Sequence, residues 1–354
     1  MQKVKNFFKN VWTFTKKHKW SISLIVVAMG VGGFFIWDSY TAGTPLVDMS
    51  IVIPEKKPVT VAAPLSGRQI SEEQAQKRPI AIVVENHPDA RPQSGLNDAD
   101  IVFETTAEGG ITRFLAIYQS REPKQIGPVR SARNYFVEWA DSYDALFAHV
   151  GGSVEAIALI NQIGIADLNQ YAFGSYYWRD KSRYAPHNVY TTLAKLRQAA
   201  EVRDYKTDDA TVKAYQFKDD VDESARPEVH KFKVSFNASF APTYTYNPLT
   251  NSYDRSILGV KQLDANTKKV VSAKNVVVAF SKLTTQIIRG TGYTMIDTTD
   301  SGVANLYIDG VKTVGKWSRT AGEQIKFYGA DGKAVQFNVG TTWIDFVAKG
   351  TLVQ

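Results

Sequence analysis

Arginines, histidines and carboxylates gather between Pro79 and Asn188 in short blocks separated by apolar runs: Glu85-Asn86-His87-Pro88, Glu108-Gly109-Gly110, Gly127-Pro128-Val129-Arg130-Ser131-Ala132-Arg133, His149-Val150-Gly151-Gly152-Ser153, Trp178-Arg179-Asp180 and Pro186-His187-Asn188. Polar blocks at the ends of buried strands are where α/β proteins place ligands, because the sheet fixes the loops and the loops supply the chemistry. Arg130 and Arg133 stand three apart at the start of a predicted helix. If the helix has begun there, both guanidinium forks share one face beside its free N–H groups, which suits a phosphate or a carboxylate. Arg113 and Arg179 would complete the pocket, with Glu85, Asn86, Asp180, His187 and Asn188 as further ligand contacts. The alternative pairs Arg130 with Glu104 or Glu138 and leaves Arg133 on the surface.

For proton transfer, His149 is the best general base, since it ends an apolar run just before a glycine-rich turn. Glu104 and Glu108 are its carboxylate partners, and any two of Glu85, Glu104 and Glu108 could serve as the acid and base of glycoside hydrolysis. Ion pairs with neighbouring arginines explain the same carboxylates more simply. His87, His149 and His187 with Asp180 offer metal donors, but no HExxH or comparable spacing supports them, so no metal is assigned and the cofactor is left unknown. Ser131 and Ser153 lie outside any G-x-S-x-G elbow, and Ser153 reads as a helix cap. The two Gly-Gly pairs suit tight turns or close backbone approach. Trp317 and Trp343 suit either sugar stacking or, more ordinarily, the core.

The elements that must carry these residues alternate. Pro79 to Val84, Asp100 to Thr106, Thr112 to Ser120 and Leu146 to Val150 read as strands. Residues 131–145 place Phe136, Trp139, Ala140 and Tyr143 at helical spacing. Ser153 caps a helix running to about Ile163, with Glu155 in its first turn and Gly164 as its stop. Another helix begins at Thr191 or Thr192 and turns Leu193, Leu196 and Ala200 inward. Tyr244, Tyr246 and Tyr253 flank a turn at Asn247-Pro248, Val276 to Phe280 is a core strand, and Asp309-Gly310 and Asp331-Gly332 mark hairpins.

The fold class predicted is multi-domain α+β: an N-terminal transmembrane helix, an α/β domain with a mixed sheet, then a smaller, mainly antiparallel β domain. The boundaries are a basic cytoplasmic head at 1–19, a membrane anchor at 20–37, an extended linker at 38–64, the α/β domain at 65–205, a polar connector at 206–230 and the β-rich domain at 231–354. The anchor, WSISLIVVAMGVGGFFIW, carries no charge, follows six lysines and has tryptophan at both ends, so the positive-inside rule exports everything after Asp38. A cleaved signal peptide, with Ala42 and Gly43 near the cut, is the competing expectation. Subtracting those six lysines from 42 Lys+Arg leaves 36 against 35 Asp+Glu, so charge provides no case for nucleic acid as a partner. With no cysteine there is neither a disulfide, nor a thiolate metal site, nor a lipidated N-terminal cysteine.

The blocks RPIAIVVENHPDARPQSGL, ADIVFE, EGGITRFLAIY, IGPVRSAR, HVGGS, YYWRD and APHNVYT, in that order, with the later NVVV, Asp-Gly, Gly-Lys-Trp and Thr-Thr-Trp-Ile blocks, resemble the YerB-like lipoproteins, a bacterial family of unknown function. The resemblance covers about residues 65–350 and implies a two-domain protein on the outer face of a bacterial membrane, here held by a helix in place of a lipid. The layout is more distantly similar to the LytR-CpsA-Psr cell-wall transferases, which implies arginines gripping a polyprenyl pyrophosphate. The expected function is an envelope protein, anchored in the membrane through residues 20–37, whose cleft of Arg, His and Glu binds a cell-wall polymer or another anionic or glycan ligand. The alternatives are a non-catalytic scaffold or regulator that binds a protein partner, and a glycopolymer transferase or glycan hydrolase. A binding site requires Arg130, Arg133, His149 and His187 to converge on open space; a scaffold requires them buried and mutually satisfied.

Overall fold

The structure, a computed structural model, describes residues 59–288 and 291–354. The basic head at 1–19, the anchor at 20–37 and the linker as far as residue 58 lie outside the described residues. Among the described residues no helix is long and apolar enough to cross a membrane. Pro58–Gln354 is one compact unit.

Its centre is a ten-stranded mixed sheet. In chain order the strands are β1 Ile80–Glu85, β2 Ile101–Thr106, β3 Thr112–Tyr118, β4 Leu146–His149, β5 Asp167–Asn169, β6 Asn275–Ser281, β7 Ser301–Ile308, β8 Val311–Ser318, β9 Lys326–Tyr328 and β10 Thr342–Ala348. In space they run β9-β8-β7-β6-β10-β2-β3-β1-β4-β5. The first five in that order come from the C-terminal segment and the last five from the N-terminal segment, and the two halves meet at the parallel pair β10 and β2, from Thr342 opposite Ile101 to Phe346 opposite Thr105. Every residue of β1 is buried, as is almost all of β2 and β10, because both faces of the sheet are covered. That is why these strands read as unbroken apolar runs and not as alternating ones.

The helices are α1 Glu72–Gln76, α2 Asn134–Ser142, α3 Val154–Ile163 and α4 Leu193–Val202. On one face α2 and α3 bury Phe136, Trp139 and Ile160 against Phe103, Phe147 and Phe346. On the other, α4 and a smaller antiparallel sheet cover Ile82, Phe114, Val276 and Trp343. That smaller sheet pairs Lys231–Lys233, Pro242–Asn247, Ser252–Ile257 and Val260–Lys261. Local signals set the helix ends. Ser153 Oγ accepts the Ala156 N–H at 3.1 Å and Gly164 closes α3 with φ +71°; Thr192 caps α4 in the same way.

Part of the segment read as a connector is built into the fold. Gln216–Lys218 pairs in parallel with Gln336–Asn338, and Tyr215 Oη meets Tyr143 Oη at 2.7 Å. Thr60–Ala62, within the segment read as linker, pairs with Gln69–Ser71. Trp317 and Trp343 are both buried, which removes them from any sugar-stacking surface.

Candidate functional site

Strands β1, β2, β4 and β5 point the same way and end on one edge of the sheet, where antiparallel β3 begins. This carboxyl edge is where open α/β sheets hold ligands, and it carries most of the polar blocks. Glu85 ends β1, His149 ends β4, Glu108 follows β2, and Arg113 is the second residue of β3.

The segment bearing Arg130 and Arg133 is not helical. Helix α2 starts only at Asn134, and Arg133 is its extended N-cap residue, with φ −135° and ψ 156°. Backbone hydrogen bonds from Arg130 N to Val83 O (2.9 Å) and from Ala132 N to Gly151 O (2.9 Å) stretch the segment across the sheet edge. The two arginines therefore do not share a helix face, and each takes its own carboxylate.

Arg133 Nε donates to Glu108 Oε1, and Arg113 Nη2 lies 3.0 Å from Glu108 Oε2. Burial pushes the Glu108 carboxyl up, but the Arg133 hydrogen bond and the charges of Arg113 and Arg133 outweigh it and hold it below the usual carboxylate range. A carboxylate held ionised by two arginines is a poor general acid. Burial, then repulsion from Arg133, lowers the Arg113 guanidinium in spite of Glu108; Arg130 contributes to the same repulsion. Arg130 Nε lies 3.0 Å from Glu85 Oε1, and His187 Nδ1 lies 3.0 Å from Glu85 Oε2. These two approaches lack the alignment of hydrogen bonds, so Glu85 Oε2, Arg130 Nε and His187 Nδ1 are sealed from water without a hydrogen-bond partner.

Glu104 and His149 sit deeper, and both are fully buried. Glu104 Oε2 accepts from Arg255 Nη2 at 2.6 Å, while Oε1 accepts from Thr112 Oγ1 (2.6 Å) and Asn86 Nδ2 (3.2 Å). Asn86 Oδ1 takes Gln93 Nε2 at 2.9 Å, and Gln93 Oε1 takes Gln262 Nε2 at 2.9 Å. The network thus runs from the sheet edge into the smaller sheet. His149 has Gly151 O at 2.7 Å from Nδ1 and Asp167 Oδ1 at 2.7 Å from Nε2, which leaves no ring nitrogen free to act as a base. Arg179, Asp180 and Asn188 form a separate staple: Arg179 Nη1 donates to Asn188 Oδ1 at 2.8 Å, and Asn188 Nδ2 donates to Asp180 O at 3.2 Å. The exposed Asp180 carboxyl is lowered by hydrogen bonds from Ser182.

The structure thus brings Glu85, Glu108, Arg113, Arg130, Arg133 and His187 to one edge, seals Glu104, Asn86 and His149 beneath it, and keeps Arg179, Asp180 and Asn188 on a loop of their own. Neither alternative pairing of Arg130 is seen. Glu104 belongs to Arg255, Glu138 lies 3.6 Å from Arg319, and Arg133 is only 9% exposed. A cavity of about 780 Å³ opens elsewhere, beside Lys218, Ile308 and Val311. Arg255 was missed by sequence reasoning, although alternation in Ser252–Ile257 places it on the same face as Tyr253 and Ile257, both buried.

The fold and the edge define a class: a three-layer α+β protein with a charge-paired sheet edge. The chain belongs to the YerB-like DUF3048 family. The model described as "Protein of unknown function (DUF3048) N-terminal domain" matches residues 65–206, and its C-terminal-domain counterpart matches 232–344. The Bacillus subtilis (strain 168) protein described as "Putative lipoprotein YerB" is 38% identical over 293 residues, which is 80% of this chain and 86% of that protein. The crystal structure of the YerB protein from Bacillus subtilis matches with a TM-score of 0.75 and 34% identity, and the match covers 83% of this chain and 99% of that one.

Proposed function

We propose that the protein is a membrane-anchored, extracytoplasmic envelope protein whose carboxyl edge binds the phosphate or carboxylate of an envelope polymer or lipid-linked glycan. One observation carries this reading. Three guanidinium groups, Arg113, Arg130 and Arg133, gather on two carboxylates at the start of α2, where Arg133, a donor only, offers the first-turn N–H groups no acceptor. That leaves positive charge in excess beside free helix N–H groups. An anion there would offset the repulsion from Arg133 that, after burial, lowers Arg113. The location is supported by the basic head and apolar run of residues 1–37 and by the lipoprotein description of the relative.

Binding, not catalysis, suits the chemistry. His149 and Glu104 are sealed and Glu108 is held ionised, so the residues expected to move protons are committed elsewhere. The same pairing supports the second reading, a non-catalytic scaffold that presents a protein-binding face. The two readings separate in a thermal-shift titration of residues 58–354 with inorganic pyrophosphate, a polyprenyl phosphate and muropeptides. The anion site predicts that one of these stabilises the protein, by about 2.7 kcal/mol at a hundredfold excess over Kd. Arg130→Ala and Arg133→Ala would each lose that gain while staying folded; no shift with any of the ligands would favour the scaffold.

A further inference from the structure

Beside the arginines lies a cluster that the anion reading does not use. His87, Asp89 and His187 each offer a ligating atom within 4.8 Å of the others. The imidazoles of His87 and His187 are stacked, with centroids 4.6 Å apart and an interplanar angle of 17°. His87 Nδ1 lies 3.5 Å from Asp89 Oδ2 and accepts the Asp89 N–H at 3.2 Å. The two loops are clamped together by Arg183, which donates to Asp89 O at 3.2 Å and to Pro92 O at 2.8 Å. His87 and His187, 100 positions apart in sequence, would not otherwise meet, and the clamp holds them at the mouth of the edge.

We propose that His87, Asp89 and His187 bind a first-row divalent cation of the zinc type, with Glu85 orienting His187. Two imidazoles and one carboxylate are the donor set such ions take, and three protein ligands leave coordination positions open to solvent or to an anionic ligand. A second observation points to a missing partner. Glu85 is 3% exposed, yet its Oε2 meets His187 Nδ1 at 3.0 Å without hydrogen-bond alignment, so both atoms are orphaned inside the protein. Turning the His187 ring to align Nδ1–H with Glu85 makes the pair that ligating histidines adopt, carboxylate behind imidazole, and leaves Nε2 as the lone pair for a metal. Stacked rings present parallel lone pairs, so coordination also requires them to splay. Their side chains, 31% and 17% exposed for His87 and His187, have room to do so. The three ligands lie outside the arginine cluster and only Glu85 is shared, through Arg130, so His87→Ala and His187→Ala separate the metal site from the anion reading.

The test is calorimetric titration of the untagged full-length chain with Zn2+, with Mg2+ as a control, and visible spectroscopy with Co2+. One equivalent of Zn2+ should bind with micromolar or tighter affinity, and Co2+ should give the visible absorption of an ion held by nitrogen. His87→Ala, on the more exposed ring, and His187→Ala should each lose at least tenfold in affinity and lose the Co2+ band, with far-UV circular dichroism unchanged. Glu85→Gln should weaken binding by about ten- to a hundredfold, the range for residues behind a ligand. Zn2+ binding weaker than millimolar in the native chain, or equal affinity in His87→Ala and the native chain, overturns the proposal. Pyrophosphate binding by metal-free protein is unaffected by either result, so failure here leaves the anion site untouched.

Discussion

Arg255 is held on several sides. Its guanidinium is buried with Trp343, Phe114 and Tyr244 rings centred 5.1, 5.6 and 5.8 Å away, and it pairs with Glu104. Burial alone would push this group down, but Glu104, followed by Tyr244 and Asp345, raises it. Removing one partner of such a pair costs about 3–5 kcal/mol, because the other is left charged and dry. Asp345 lies in the same pocket, with Tyr244 Oη donating to it at 3.0 Å and Trp343 Nε1 at 3.0 Å. Burial, then the charge of Glu104, pushes its carboxyl well above the ordinary range. A raised acid binds its proton more tightly when folded, so its contribution to stability is complete below the unfolded value of about 3.9 and falls as pH rises toward the folded one, by up to about 1.4 kcal/mol per unit. Asp345→Asn should therefore gain on the native chain as pH rises from 4.5 to 7. Urea midpoints for both proteins at the two pH values check this, and a difference independent of pH would mean that Asp345 is ionised in the fold.

Among the elements, the helices and β-hairpins follow local rules closely. The Ser153 cap and the Gly164 stop lie where cap chemistry put them, because an N-cap oxygen and a left-handed glycine act within a single turn. Ser153→Ala should cost about 1 kcal/mol, read as a lower urea midpoint with unchanged slope. Asp309 and Gly310, with φ of +53° and +74°, make the tight turn that joins β7 to β8. The start of α2 is the instructive exception. Residues 131–145 have a helix-like pattern, yet the chain from Arg130 to Arg133 runs extended because Val83 O takes the Arg130 N–H and Gly151 O the Ala132 N–H. Arg130 and Arg133 are therefore steered to separate carboxylates by tertiary pairing.

Over the whole molecule, the two segments matched by separate family models share one sheet. Their contact is β10 against β2, reinforced by the Glu104 to Arg255 pair across the layers. Each half alone would expose one of these strands, both nearly all buried, as an apolar edge open to mispairing. Expressed separately, residues 58–206 and 231–354 should aggregate or lack a cooperative unfolding transition, and co-expression should recover one complex. Independent cooperative unfolding of either half would show that the junction is not needed for its stability.

The sequence by itself determined the periodicity of the strands and helices, the caps and turns, the family and the crowding of polar residues between Pro79 and Asn188, since each is written in neighbouring residues or in shared blocks. Only the tertiary structure decided which charges meet. It gave Glu104 to Arg255, 151 positions away, His149 to Asp167, and Glu85 to both Arg130 and His187. It also joined the five strands of the later segment to the five of the earlier one. Ion pairing and strand order depend on distances through space, and hydrophobic burial is non-directional, so the apolar spacing that marks a strand does not say which strand it will meet. A polar block can therefore be recognised from sequence, whereas its partners, and with them its chemistry, are set by the packing of the sheet.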